Sequence, residues 1–312
     1  MLRFTAALFL CHLLGGGNCY YEKRTWSSWS SWSSSGGTGD GAHGYGIPGG
    51  NSDSGGPMKI PKIASPDKLF NCPGGSGMTP EARKLAVDEH NKRRSDQALG
   101  KAKSEMSPVK NMYKLSYDCN LEAVIQKYMN RCKYGHSRPY DNPNGENLYA
   151  RGGTHKRTIE EMVTGAVKGW WDKEINHIKA RADGVYFYDS SGPVIGHYTT
   201  MARDKQVALG CGYKYCPGAS YPEMLFCQYT SNNVEDGRVF HYGSPCKQDS
   251  DCTLYQDSVC LASEGLCSIK GHENGHTEGD QDSDSQASAS NAIYPGMILI
   301  WSFFVIVIVC SL

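Results

Sequence analysis

The strongest periodic signal in the chain runs over residues 158–175, TIEEMVTGAVKGWWDKEI. Ile159, Met162, Val163, Ala166, Val167, Trp170 and Trp171 recur at spacings of three and four, which lays one continuous apolar stripe along an α-helix. Thr158 and Glu161 have the spacing of a capping box, so the helix is predicted to begin there. Glu174 is the next position on the stripe. A carboxylate turned toward a core needs a cation, a metal, a histidine or trapped water; the alternative is a frayed last turn in which Glu174 reaches solvent.

Two more helices are predicted upstream. Thr79 and Pro80 supply a cap and a first-turn proline for a helix through Ala82, Leu85, Ala86 and His90 toward Gly100. Its Lys92, Arg93 and Arg94 read as a solvated basic face. A further helix opens at 118–120, where Leu121, Val124, Ile125, Tyr128, Met129 and Cys132 keep the period until Gly135 stops it. His136 then follows one turn beyond Cys132 and can face the same way. Residues 137–157 read as loop, punctuated by prolines and glycines. Segments 194–201, 207–215 and 224–229 alternate like strands, and three strands joined by short turns suggest an antiparallel meander. Helices packed on such a sheet make an α+β layered domain.

The 312 residues carry 32 lysines and arginines against 32 aspartates and glutamates. That balance argues for neither nucleic acid nor an anionic membrane surface. Residues 1–19 combine Arg3, an apolar run and three glycines, the pattern of a secretory signal peptide, which directs the chain to an oxidising compartment. Of thirteen cysteines, cleavage after Cys19 leaves Cys72, Cys119, Cys132, Cys211, Cys216, Cys227, Cys246, Cys252, Cys260 and Cys267, besides Cys310 in the apolar tail. An even set of ten suits five disulfides. The last four fall in a stretch, 243–267, too poor in aliphatic residues to hold itself by burial, so two disulfides are expected to staple it; zinc is the competing use of four cysteines, but no C-x-x-C pair occurs.

Residues 20–71 are Gly/Ser-rich and read as a flexible leader. Within it Trp26, Trp29 and Trp32 fit either a W-x-x-W acceptor for C-mannosylation or isolated tryptophans in a flexible arm. Residues 268–292 read as an acidic, polar stalk. Residues 293–312 are apolar with no basic residue after them, as in a GPI-attachment signal or a tail-anchored span. His272 and His276 in H-E-N-G-H match a zinc-protease pattern, but that pattern requires a helix and glycines at 271, 275 and 279 oppose one.

His136, Glu146, Glu174 and His197 are the candidate chemistry, although their spacings alone carry no metal signature. The motifs around them, however, come in a telling order: CKYGHS at 132–137, GENL at 145–148, WWDKE at 170–174, GHYTTM at 196–201, then GCGYKYC and LFCQY, with His90-Asn91 upstream. This series resembles the CAP superfamily of cysteine-rich secretory, antigen 5 and pathogenesis-related 1 proteins, and the short cysteine segment resembles that of secreted nematode members. The resemblance implies a three-layer α-β-α sandwich with an antiparallel three- or four-stranded sheet over residues 72–242, plus a small disulfide-stapled tail. It also implies a cleft holding the tetrad His136, Glu146, Glu174 and His197, with His136 and His197 able to hold a divalent metal such as zinc.

Two departures stand out. Thr200, Ala202 and Arg203 replace the residues usual after the GHYT motif, and CQYTSNN lacks a proline and a glycine in a region tied to sterol binding. The resemblance implies an extracellular, non-catalytic protein that binds a protein or lipid partner and tunes growth-factor signalling or development. Alternatives are a metal-dependent hydrolase, with Glu146 or Glu174 as general base, and a sterol or lipid carrier. Placement is expected at the extracellular face of the plasma membrane, with membrane association through the tail. Under the lipid-anchor reading, phosphatidylinositol-specific phospholipase releases the protein from expressing cells; retention after treatment is the outcome a membrane span gives.

Overall fold

The computed structural model describes residues 56–276, except 76, 139–142, 154, 189–193 and 235. The expected signal peptide, tryptophan repeat and apolar tail lie outside these residues. Among the described residues no helix is long and apolar enough to cross a membrane.

Strand β5 (Ala208–Tyr215) shows how the layers form. Its odd positions, Leu209, Cys211 and Tyr213, join one apolar cluster with α1 (Pro80–Ala98), α3 (Ile159–Val167) and α4 (Gly196–Ala202). The even positions Gly210 and Gly212 face the opposite way, against α2 (Cys119–Met129). A Cβ on Gly210 would lie 2.4 Å from the Glu122 nitrogen and 2.5 Å from the Asp118 carbonyl oxygen, and one on Gly212 3.0 Å from the Met129 sulfur. Only the absence of a side chain lets α2 approach the strand backbone this closely.

A four-stranded sheet is the middle layer, in the order β2 (Ser116–Tyr117), β5, β6 (Glu223–Tyr229), β3 (Gly145–Arg151). It is a three-layer α-β-α sandwich, and the sheet is mixed: β2 runs parallel to β5, while β5, β6 and β3 are antiparallel. A smaller antiparallel sheet joins β1 (Val109–Lys110), β7 (Arg238–Tyr242) and β4 (Gly184–Tyr186).

Several elements differ from the sequence reading. Of residues 194–201, expected as a strand, 196–201 belong to α4, in which the hydroxyls of Thr199 and Thr200 donate to the carbonyls of Ile195 and Gly196. Threonine in a helix uses this back-bonding to offset its β preference. Part of the expected loop 137–157 is strand β3, and the second helix ends at Met129, so His136 lies in a loop beyond it. The 158–175 helix is α only to Val167; a π-helical turn over Lys168–Asp172 and a 3₁₀ turn over Glu174–His177 complete it. Its capping box is present, with Thr158 and Glu161 exchanging hydrogen bonds.

The ten cysteines form five disulfides: Cys72–Cys119, Cys132–Cys216, Cys211–Cys227, Cys246–Cys260 and Cys252–Cys267. The last two brace the hairpin of β8 (Ser258–Leu261) and β9 (Leu266–Ile269). This unit docks on the sandwich through an edge-to-face contact of Tyr255 with Tyr113, 5.0 Å between centroids. Met58, Ile60 and Ile63, expected in the flexible leader, pack against the same cluster. The expected stalk begins as strand β9 and stays attached to residue 275, whose carbonyl accepts from the Tyr117 N–H. His272 and His276 are in turns, with His272 Nδ1 3.1 Å from the Ser65 hydroxyl, so the H-E-x-x-H segment is not a helical metal site.

The predicted basic face of α1 divides. Lys92 is exposed and pairs with Asp96, and Arg93 pairs with Glu89 and Asp172. Arg94 is fully buried and donates to the carbonyls of Tyr113, Met201, Arg203, Asp204 and Gln206. Burial lowers its pKa to about 9, which leaves it charged at neutral pH. Replacing Arg94 with Met strands those acceptors and is expected to lower the unfolding free energy by about 3 kcal/mol or more; Lys92→Ala should stay within about 0.5 kcal/mol by the same denaturant titration.

Candidate functional site

The structure sets the four candidate residues in two histidine–glutamate pairs. In the first, the loop after α2 carries His136 to Glu146 on β3, with Nδ1 3.0 Å from Oε1. Glu146 also accepts from the Ser137 N–H at 2.9 Å, the Ser137 hydroxyl at 2.5 Å and Gln228 Nε2 at 3.0 Å. Burial raises its pKa, but the hydrogen bonds from His136, Ser137 and Gln228 outweigh this and hold it below the usual carboxylate value. An ionised carboxylate only accepts, so His136 donates through Nδ1, which in the neutral ring is the tautomer that leaves the Nε2 lone pair free.

The second pair repeats the first. His197, at the start of α4, sets Nδ1 2.5 Å from Glu174 Oε1, and the other carboxylate oxygen accepts from the Tyr198 N–H at 2.9 Å. This arrangement resolves the Glu174 question: the carboxylate is buried and paired with histidine. The π-helical turn before it brings two consecutive rings inward. Trp170 stacks on His197 at 6.1 Å and Trp171 meets Tyr198 edge-on at 4.7 Å.

Strand β3 connects the two pairs. Asn147, next to Glu146, donates to the His197 carbonyl at 3.1 Å, and Trp170 Nε1 donates to the Leu148 carbonyl at 3.0 Å. In each pair the imidazole is the accessible partner: the His136 and His197 side chains are 53% and 31% exposed, against 2% and 9% for Glu146 and Glu174. Among the described residues no three of the four bring ligand atoms within 4.8 Å of one another. Cys246, Cys252 and Cys260 do so, but their sulfurs are in disulfides. Each pair thus presents one half-exposed imidazole backed by a buried carboxylate, the residue types that a divalent metal such as zinc uses.

Ser137, Gln228, Asn147 and Trp170 complete the site and were not singled out for it from the sequence. Ser137 and Gln228 lay inside motifs already noted, GHS and LFCQY, which is the signal that could have found them. Because the Glu146 pKa is lowered on folding, its contribution is present above about pH 4.5, the ordinary value, and is lost as pH falls through the folded-state value. Glu146→Gln should be less stable than the parent at neutral pH, with the gap narrowing below that point in urea titrations.

Comparison with known proteins follows the same lines. Residues 87–229 match the CAP, or cysteine-rich secretory protein, family. The chain is 31% identical over 211 residues to Ancylostoma secreted protein of Ancylostoma caninum, covering 65% of this chain and 48% of that one. It spans about half the length of the curated relatives it matches. Among solved structures, BmVAL-1 is 32% identical with a TM-score of 0.56, covering 64% of this chain and 98% of its own. NaASP2, solved with Zn2+, is 27% identical with a TM-score of 0.51, over 64% of this chain and all of its own. All four site residues lie inside the family match, and the sandwich aligns along nearly the full length of BmVAL-1; the chain belongs to the cysteine-rich secretory protein (CAP) family.

Proposed function

We propose that this is an extracellular, non-catalytic binding protein whose cleft holds a divalent cation such as zinc through His136 and His197. The observation that carries this reading is the repeated orientation of the imidazoles: each Nδ1 faces a buried carboxylate, which leaves each Nε2 as the available donor. Carboxylates behind metal-binding histidines fix the tautomer in this way. The solved relative NaASP2 carries Zn2+ in its title, and the names of several relatives describe secreted proteins. The five disulfides suit the same compartment.

The hydrolase alternative needs a free general base. Both oxygens of Glu146 are engaged by four donors and its pKa is lowered, and Glu174 is held by His197 and the Tyr198 N–H. Engagement of both carboxylates favours the binding reading over a general-base role. A protein or lipid partner remains the proposed ligand of the whole molecule, and the apolar tail its membrane tether.

Zinc titration by calorimetry should give one site in the parent and none in His136→Ala/His197→Ala. Glu174→Gln should weaken zinc roughly 10-fold to 100-fold. Ester or peptide hydrolysis by the zinc-loaded parent that disappears in the double variant would overturn the non-catalytic reading.

A further inference from the structure

The chain's zero net charge conceals a segregation. Along the exposed side of α2 and the loop after it stand Lys127, Arg131 and Lys133, and the loop after β3 adds Lys156. None of the four has an ion-pair partner among the described residues. Three acids of this neighbourhood are buried and engaged: Glu122 by Arg83, Glu146 by His136 and Ser137, and Glu223 by Arg157. Lysines on the opposite surface differ, since Lys84 pairs with Asp88, Lys92 with Asp96 and Lys114 with Glu264. Part of the balancing negative charge falls late in the sequence, at Glu273, Glu278, Asp280, Asp282 and Asp284.

Exposed aromatic rings accompany the unbalanced cations. Tyr134 and Tyr221 are 53% and 47% exposed, and their centroids lie 5.1 Å apart. Buried Phe226 supports Tyr134 from beneath at 5.9 Å. Arg131 covers the neighbouring Tyr128 at 5.7 Å, and Lys156 covers Tyr215 at 5.0 Å. The Cys132–Cys216 disulfide ties the loop carrying Tyr134 to the β5–β6 turn carrying Tyr221, so the shelf is fixed before any ligand arrives.

We propose that this shelf is a binding surface for a sulfated polysaccharide. A group of lysine and arginine charges with no ion-pair partner among the described residues attracts a polyanion. Half-exposed tyrosine rings offer flat apolar faces for sugar rings to lie against, with hydroxyls at their edges for hydrogen bonds. The choice of a polysaccharide over other polyanions rests on the extracellular setting proposed above; the surface adjoins the His136–Glu146 pair, since Lys133 and Tyr134 share the loop that carries His136.

The test uses the purified full-length chain and immobilised heparin as probe, with secretion and zinc binding measured separately, so that failure here is distinguishable from failure of the earlier reading. Binding is expected at about 0.15 M salt and should weaken as salt rises, with a log–log slope of about three or more. Lys127→Gln/Lys133→Gln/Lys156→Gln should lower affinity at least roughly tenfold. Lys84→Gln/Lys92→Gln/Lys114→Gln removes the same charge and should lower it by less than about threefold. Tyr134→Ser/Tyr221→Ser should weaken binding while leaving the salt slope unchanged. Equal losses in the two lysine variants, no binding by the parent, or equal affinity for poly-glutamate of matched charge would overturn the proposal.

Discussion

The buried cation of Arg94 ties α1 to the approach to β2, to α4 and to the turn before β5. Arg94 reaches from α1 into the core and gathers the carbonyls of Tyr113, Met201, Arg203, Asp204 and Gln206, which belong to the approach to β2, the end of α4 and the turn before β5. Two of them terminate α4, where the helix dipole favours positive charge. No carboxylate takes part in these bonds, so the ion is solvated by peptide dipoles in place of water. The position of α4, and with it His197, depends on this arrangement. His90, one turn earlier on α1, is the neutral counterpart: burial takes its pKa to about 3, and its ring nitrogens meet the Ala86 carbonyl and the Tyr229 hydroxyl.

The site itself is built by the same economy of buried polar groups. Each glutamate is covered and each histidine is open, so the carboxylates act on whatever arrives only through the imidazoles they orient. Strand β3 is an edge strand, and its outward carbonyl at Leu148 is capped by Trp170. One tryptophan therefore closes a sheet edge and forms a wall behind His197.

The helices with long apolar stripes were legible because their period survives any tertiary context, and ordered motifs singled out the four candidate residues. What escaped has physical causes. GENLYAR is a strand buried on both faces for its first four residues, so it shows no alternation and its glycine and asparagine read as loop. GHYTTMA carries β-favouring threonines whose hydroxyls nonetheless bond back to their own helix. Arg94 read as a surface charge because nothing local reveals that five carbonyls wait for it. The two-residue strands β1 and β2 are too short for any periodicity to register.

One face of the central sheet has α2 as its helical cover, and that helix is pinned at both ends: its first residue, Cys119, is tied to Cys72, and Cys132, just beyond its last turn, to Cys216. A helix held in this way cannot peel back to offer a protease an unfolded segment without the whole sandwich giving way. Where no chaperone restores a damaged molecule, reduction of those two cross-links would free both ends of α2 and so shorten the working lifetime of the fold.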